Sequence, residues 1–134
     1  HAFAISVASV SQYAALAALT GPQDCVEEMR KTYDERRKAL CEGLDALGIP
    51  YAEPQGAFYV YADVASTGVP ASEFCERLLA EGRVLMYPGT IYGDYRDDYV
   101  RMSLTQPVER IREAMGRIQT VVNAIREKRK APAA

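Results

Sequence analysis

The stretch YVRMSLTQPVERI, residues 99–111, decides how the chain is read. Val100, Met102 and Leu104 alternate with Tyr99, Arg101 and Ser103, a period of two that marks a strand with one aliphatic and one mixed face. Pro107 then interrupts the pattern. From there Val108, Ile111, Met115, Ile118, Val122 and Ile125 recur at intervals of three and four, so a long helix is expected to start at Pro107. Lys and Arg crowd its far end, where cations complement the helix dipole. The guanidinium at position 101 of an otherwise apolar strand needs a reason.

Working outward, VLMYPG (84–89) reads as a further strand, joined to the first by the loop TIYGDYRDD (90–98). A short helix is expected at about residues 70–81, with Phe74, Cys75, Leu78 and Leu79 on one face and Gly82 at its end. Residues 57–62, AFYVYA, form the best strand pattern of the chain, and residues 49–53 suit a short edge strand. Val26, Met29, Tyr33, Leu40, Leu44 and Leu47 define a second helix, with Pro22 at its first position and Gly48 then Pro50 stopping it. Before it, an Ala-rich helix at about 9–19 opens on Ser9 and Gln12, spaced as a capping box. That helix is apolar on nearly every side, so other protein is expected to cover it, and the chain is expected to be part of something longer. Strands grouped between helices give an α+β fold, a small sheet covered by helices.

Composition narrows the function classes. The chain has 134 residues, 49% hydrophobic and 25% charged, enough for one hydrophobic core without disulfides or metals. A net charge of -2, with EKRK at 127–130 as the only basic run, argues against a nucleic-acid partner. The opening HAFAISVASVSQYAALAAL contains serines and a glutamine and lacks a basic leader region, so neither a membrane span nor a signal peptide is expected. Cys25, Cys41 and Cys75 are too far apart for a metal or redox pair, and a reducing cytoplasm is the simplest setting.

Catalytic and metal constellations are missing as well. His1 is the sole histidine and lies at the terminus, so no Ser-His-Asp or Cys-His arrangement is credible. DYRDD at 94–98 lacks the oxygen-donor alternation of a calcium loop, and Gly89 and Gly93 make no phosphate-binding loop, so no metal site is expected. Arg101 can be read in two ways. It can be an edge-strand arginine that blocks unwanted pairing or meets Asp97 or Asp98. Alternatively, its planar fork can hold a ligand carboxylate by two parallel hydrogen bonds, on a strand more rigid than any loop.

PQGAFYVYADV (54–64) and EFCERLLAEGRVLMYPGTIYGDYRDDYVRMSLTQPVERIREAMGRI (73–118) together resemble the C-terminal part of class I/II pyridoxal-phosphate-dependent aminotransferases of fold type I. The opening segment resembles the one that follows the cofactor lysine in that family. The resemblance implies a small, mainly antiparallel sheet covered by helices at 22–134, preceded at 1–21 by one helix of a large domain. It implies that Arg101 binds the α-carboxylate of an amino-acid or 2-oxo-acid substrate, and that Phe58 and Gly56 border the substrate pocket. Phe58 also suits a core strand position, Gly56 a plain turn, and Tyr92 either the pocket rim or an ordinary loop. The implied whole is a homodimer, with residues 5–11 near the subunit interface, that transfers amino groups on pyridoxal phosphate. Neither the cofactor lysine nor the phosphate-binding loops of the family are in this sequence. Lys31, Lys38, Lys128 and Lys130 stand in charge-rich helical stretches, so no catalytic or cofactor-binding residue is expected here and the chain alone is expected to be inactive. Two alternatives remain: another fold-type-I chemistry, such as a decarboxylase, lyase or synthase, and a free-standing α+β ligand-binding module.

Overall fold

The computed structural model describes residues 6–93 and 97–130. His1, Ile5 and Asp94, on which parts of the sequence reading rest, lie outside them. The chain divides into two compact units, one ending at Lys31 and the other beginning at Thr32.

In the first unit, α1 (Ser9–Thr20) buries none of its residues, and Val10, Tyr13, Leu16 and Leu19 stand exposed, although an all-round apolar helix calls for cover. The expected capping box does not form. Ala8 takes the cap position with no side-chain bond, and Gln12 donates its amide to the Val7 carbonyl at 2.9 Å. At the other end, the Gln23 side-chain amide donates to the carbonyls of Ala18 and Gly21, satisfying acceptors that the helix end leaves open. Pro22 lies in this connection, so it precedes α2 (Asp24–Leu47) rather than opening it.

Only the second half of α2 carries out what its apolar stripe promises. Ala39, Leu40, Cys41, Leu44 and Leu47 are buried, whereas Val26 and Met29, in the first unit, are about half exposed. The helix stops at Gly48, whose φ of +63° is the left-handed turn expected there. Arg126 of α4 (Val108–Lys130) donates to the Leu47 carbonyl at 3.1 Å and closes that end. Gly43 lets α2 and α4 approach closely, because a Cβ there would stand 2.6 Å from Cγ of Met115.

The sheet has three antiparallel strands in the order β1 (Tyr59–Asp63), β3 (Tyr99–Ser103), β2 (Tyr87–Pro88). Three differences from the sequence reading stand out. Residues 49–53 contribute only an isolated bridge, Tyr51 to Ala62. VLMYPG pairs over two residues only, since Arg83 turns left-handed just before it and Pro88 has no N–H to extend the ladder. The best strand pattern begins at Tyr59 rather than at 57, because Ala57 adopts φ +57°. The short helix α3 (Ala71–Arg77) continues as a π turn through Gly82, and Leu79 of its expected apolar face is exposed.

Alternation sorts the sheet into two faces. Val60, Ala62, Val100 and Met102 are buried in one core with Leu44, Phe74, Leu78, Ile111, Ile118 and Ile125 from the helices. Each such side chain contributes about 1.5–3 kcal/mol relative to exposure. The stripe of α4 is buried throughout from Ile111 to Ile125, as its spacing predicts. The residues of opposite parity, Tyr59, Tyr61, Tyr99, Arg101, Ser103 and Tyr87, take the other face, which is left open.

Candidate functional site

Arg101 is on the central strand, so the edge-strand reading is wrong. It pairs in register with Tyr61 of β1 on one side and Tyr87 of β2 on the other, and directly opposed residues share a face. Its guanidinium carbon lies 4.1 Å from the ring centroid of Tyr59 and 3.9 Å from that of Tyr92. Tyr59 comes from β1 and Tyr92 from the turn that follows β2, so two separate elements supply the rings. Among the described residues, Arg101 makes no hydrogen bond or ion pair with a carboxylate.

The reason for this open charge is found at Asp97. The Ala71 N–H donates to the Asp97 carbonyl at 2.7 Å, the Ser72 N–H donates to Asp97 Oδ1 at 3.0 Å, and the Ser72 hydroxyl donates to Oδ2 in a short bond. Pro70 precedes α3 without a side-chain cap, so Asp97, 25 residues away, satisfies the N-terminal donors instead. Both carboxylate oxygens are thereby occupied at the helix end and are not presented to Arg101. Asp97→Ala is expected to cost about 1–2 kcal/mol through the lost cap. Hydrogen exchange at the first amides of α3 should accelerate accordingly, and unchanged protection at Ser72 would contradict the assignment.

Phe58 is not a core residue. It is exposed at 38%, and its ring stacks on Tyr33 at 6.0 Å and meets Tyr59 at 4.4 Å with the planes tilted by 41°. Arg36 lies over the far side of this cluster, 5.4 Å from the Tyr33 ring, and donates to the Leu104 carbonyl at 3.2 Å. Tyr33, Phe58, Tyr59, Arg101 and Tyr92 thus form a chain of ring and guanidinium contacts that runs from α2 to the open sheet face. Gly56 has nothing within 4 Å of the place a Cβ would occupy, so this chain itself does not require a glycine there. The left-handed residue of the GAFY turn is Ala57, a strained position that only the surrounding structure can hold.

Other chemistry is weak among the described residues. Burial, followed by the charge of Asp97, pushes the Cys75 thiol up to about 11, and burial also raises that of Cys41, so neither is a nucleophile near neutrality. Among the described residues, no group of His, Cys, Asp and Glu could hold a metal ion, and no helix is long and apolar enough to cross a membrane. Lys38 is bonded to Asp34 at 2.7 Å and Lys31 lies 3.9 Å from Glu27, both on solvated helix faces. Neither has the apolar setting that makes a lysine amine nucleophilic, so these lysines do not fit as holders of a carbonyl cofactor. A cleft of about 340 Å³ lies elsewhere, lined by Met86, Met102, Arg110 and Ile118 among others, and does not include Arg101. Arg110 and Arg117 at its rim both bond Glu113, while Arg83, which also lines the cleft, is paired with no carboxylate among the described residues.

Comparison with known proteins gives this arrangement a family. Residues 1–118 match the model of aminotransferase class I and II, and the chain belongs to that family. It is 41% identical to an aspartate aminotransferase of Pyrococcus abyssi over 120 residues, 88% of this chain and 30% of the relative. An LL-diaminopimelate aminotransferase of Moorella thermoacetica is 40% identical, covering 85% of this chain and 29% of its own. The crystal structure of an aromatic aminotransferase from Pyrococcus horikoshii superposes with a TM-score of 0.81 at 39% identity, over 86% of this chain and 31% of that one. The chain therefore spans about 30% of the length of the curated relatives it matches. The α+β architecture and the resemblance read from the motifs agree with these findings.

Of the residues singled out in the sequence, Phe58 and Arg101 both touch the Tyr59 ring, and Gly56 opens the bend that precedes Tyr59. Sequence reasoning missed Tyr59 as a partner of Arg101 and left Tyr92 undecided. Parity in AFYVYA placed Tyr59 on the outward face, which was the available signal. Tyr92 had none, since a tyrosine in a loop does not announce which side chain it covers.

Proposed function

We propose that the chain is the substrate-binding C-terminal part of a pyridoxal-phosphate-dependent aminotransferase, with residues 22–134 forming its small domain and residues 1–21 a helix of its large domain. The reaction moves an amino group between an amino acid and a 2-oxo acid. Arg101 binds the α-carboxylate, Phe58 borders the substrate pocket, and Gly56 gives room for close approach by a group outside this chain. The observation that carries this reading is an arginine on the open sheet face, stacked by two aromatic rings and paired with no carboxylate among the described residues.

The chemistry of the site follows from the side chain. A guanidinium offers N–H donors in one plane, and a carboxylate accepts two of them in parallel, so a single contact fixes both the position and the rotation of the substrate's acid end. Mounted on a central strand, that contact sets where the α-carbon points, and such positioning accounts for much of the rate advantage of a bound reaction. Pyridoxal phosphate supplies the electron sink when bound, and neither Lys31 nor Lys38 fits as its holder. The cofactor site is therefore assigned to residues beyond this chain, and the chain alone to an inactive state. The exposed apolar face of α1 agrees with a covering large domain and a homodimer. A cytoplasmic setting agrees with three free cysteines.

The test is an amino-donor screen of the full-length protein carrying this chain, supplied with pyridoxal phosphate and paired amino and 2-oxo acids. The expected result is exchange of amino and oxo groups with both carbon skeletons intact. Release of carbon dioxide or scission of the skeleton would assign the alternative chemistry, and no turnover with any pair would remove the reading.

A further inference from the structure

We infer that Tyr59 and Tyr92 are positioning residues that clamp the Arg101 guanidinium so that only its edge can meet an anion. This rests on the assignment of Arg101 as a carboxylate binder and goes one step further, to the residues that make it selective. Cζ stands over both rings, 4.1 and 3.9 Å from their centroids, well within the range of close cation–π contact. In the clamp each ring packs on one guanidinium face, an arrangement compatible with Cζ standing this close over both centroids. They come from two separate elements, one from β1 and one from the turn after β2. Stacking uses the faces of the cation and none of its N–H groups, which all point outward in the plane. An approaching acceptor finds the faces closed and the edge open, and edge-on approach is the geometry of a two-oxygen planar anion.

The clamp also explains how the arginine stays put without a carboxylate partner. A long, unpaired arginine on a surface samples many rotamers, and ordering it on binding costs free energy. Tyr59 is itself held by Phe58 at 4.4 Å, and Phe58 by Tyr33 at 6.0 Å, so one wall is braced from α2. Tyr92 is 39% exposed and stands in a turn, which makes it the movable wall.

The test uses the full-length protein and 3-phenylpropionate, a monocarboxylate without an amino group, with binding measured by calorimetry. Tyr92→Phe keeps the ring and is expected to bind within about twofold of the parent, whereas Tyr92→Ala is expected to bind about threefold to thirtyfold more weakly. Thermal midpoints of both variants, measured alongside, should match the parent because the residue is exposed and outside the core. Rescue by phenylalanine separates a stacking role from one played by the hydroxyl. Parent-like binding by Tyr92→Ala, together with weakened binding by Arg101→Ala, overturns the clamp alone. Parent-like binding by Arg101→Ala, or no binding by the parent, overturns the carboxylate assignment beneath it.

Discussion

Arg101→Ala is expected to lower kcat/KM for an amino-acid substrate by an amount equivalent to about 2–5 kcal/mol in the full-length protein. On the proposed assignment the loss is large, because the truncation removes a charge-assisted, two-point contact, and among the described residues no other cation stacks on Tyr59 or Tyr92. Arg101→Lys should recover only part of it, since an ammonium presents a point charge and cannot form the parallel pair. Fold stability should barely change, because the side chain is only half-buried and donates no hydrogen bond to a described residue. A substrate control isolates the cause. An amine lacking the α-carboxylate should react equally with parent and variant, whereas the full amino acid should not. Equal kcat/KM for the amino acid in parent, Lys and Ala variants would remove Arg101 from the site.

How much of this could be read from the sequence depends on the range of the interaction. The stripe of α4 and the alternation of β3 are local patterns repeated over many residues, and both were legible without a partner. The same pattern misled at Val26 and Met29, where periodicity marks a face for burial but does not say that this chain supplies the cover. The capping box failed because Ser9 has the right spacing to Gln12 while the helix starts one residue too early for its hydroxyl to cap. Strand content was overestimated at 49–53 and 84–89, since apolar runs are counted by composition and ladders end where a proline or a left-handed residue intervenes. At the candidate site, the residue types were legible and the juxtapositions were not. Nothing in a one-dimensional pattern ties Asp97 to Ser72 or Tyr92 to Arg101, and these two contacts together leave the arginine both ordered and unpaired.

Phe74→Ala is expected to destabilise the second unit by about 3–5 kcal/mol, the range for removing a fully buried phenylalanine. Phe74 has no exposed surface and lies on α3, which packs on both β2 and β3. A cavity there is poorly placed to collapse: the first turn of α3 is tied to Asp97, and Leu78 one turn on is also fully buried. The helix cannot settle inward without breaking one of these ties, so most of the cavity term should persist. Phe74→Leu, which leaves most of the volume filled, should cost less than half as much. Hydrogen exchange at the amides of Val60 and Met102, on the strands of the sheet, reads the loss locally. Protection there should fall for the alanine variant by an amount equal to its loss of stability, and a change under about 1 kcal/mol would mean that the site relaxes more than its anchors allow. Because β3 carries Arg101 on its other face, the same loosening should reach the clamp. The alanine variant should therefore lose carboxylate affinity as well as stability, while the leucine variant keeps most of both.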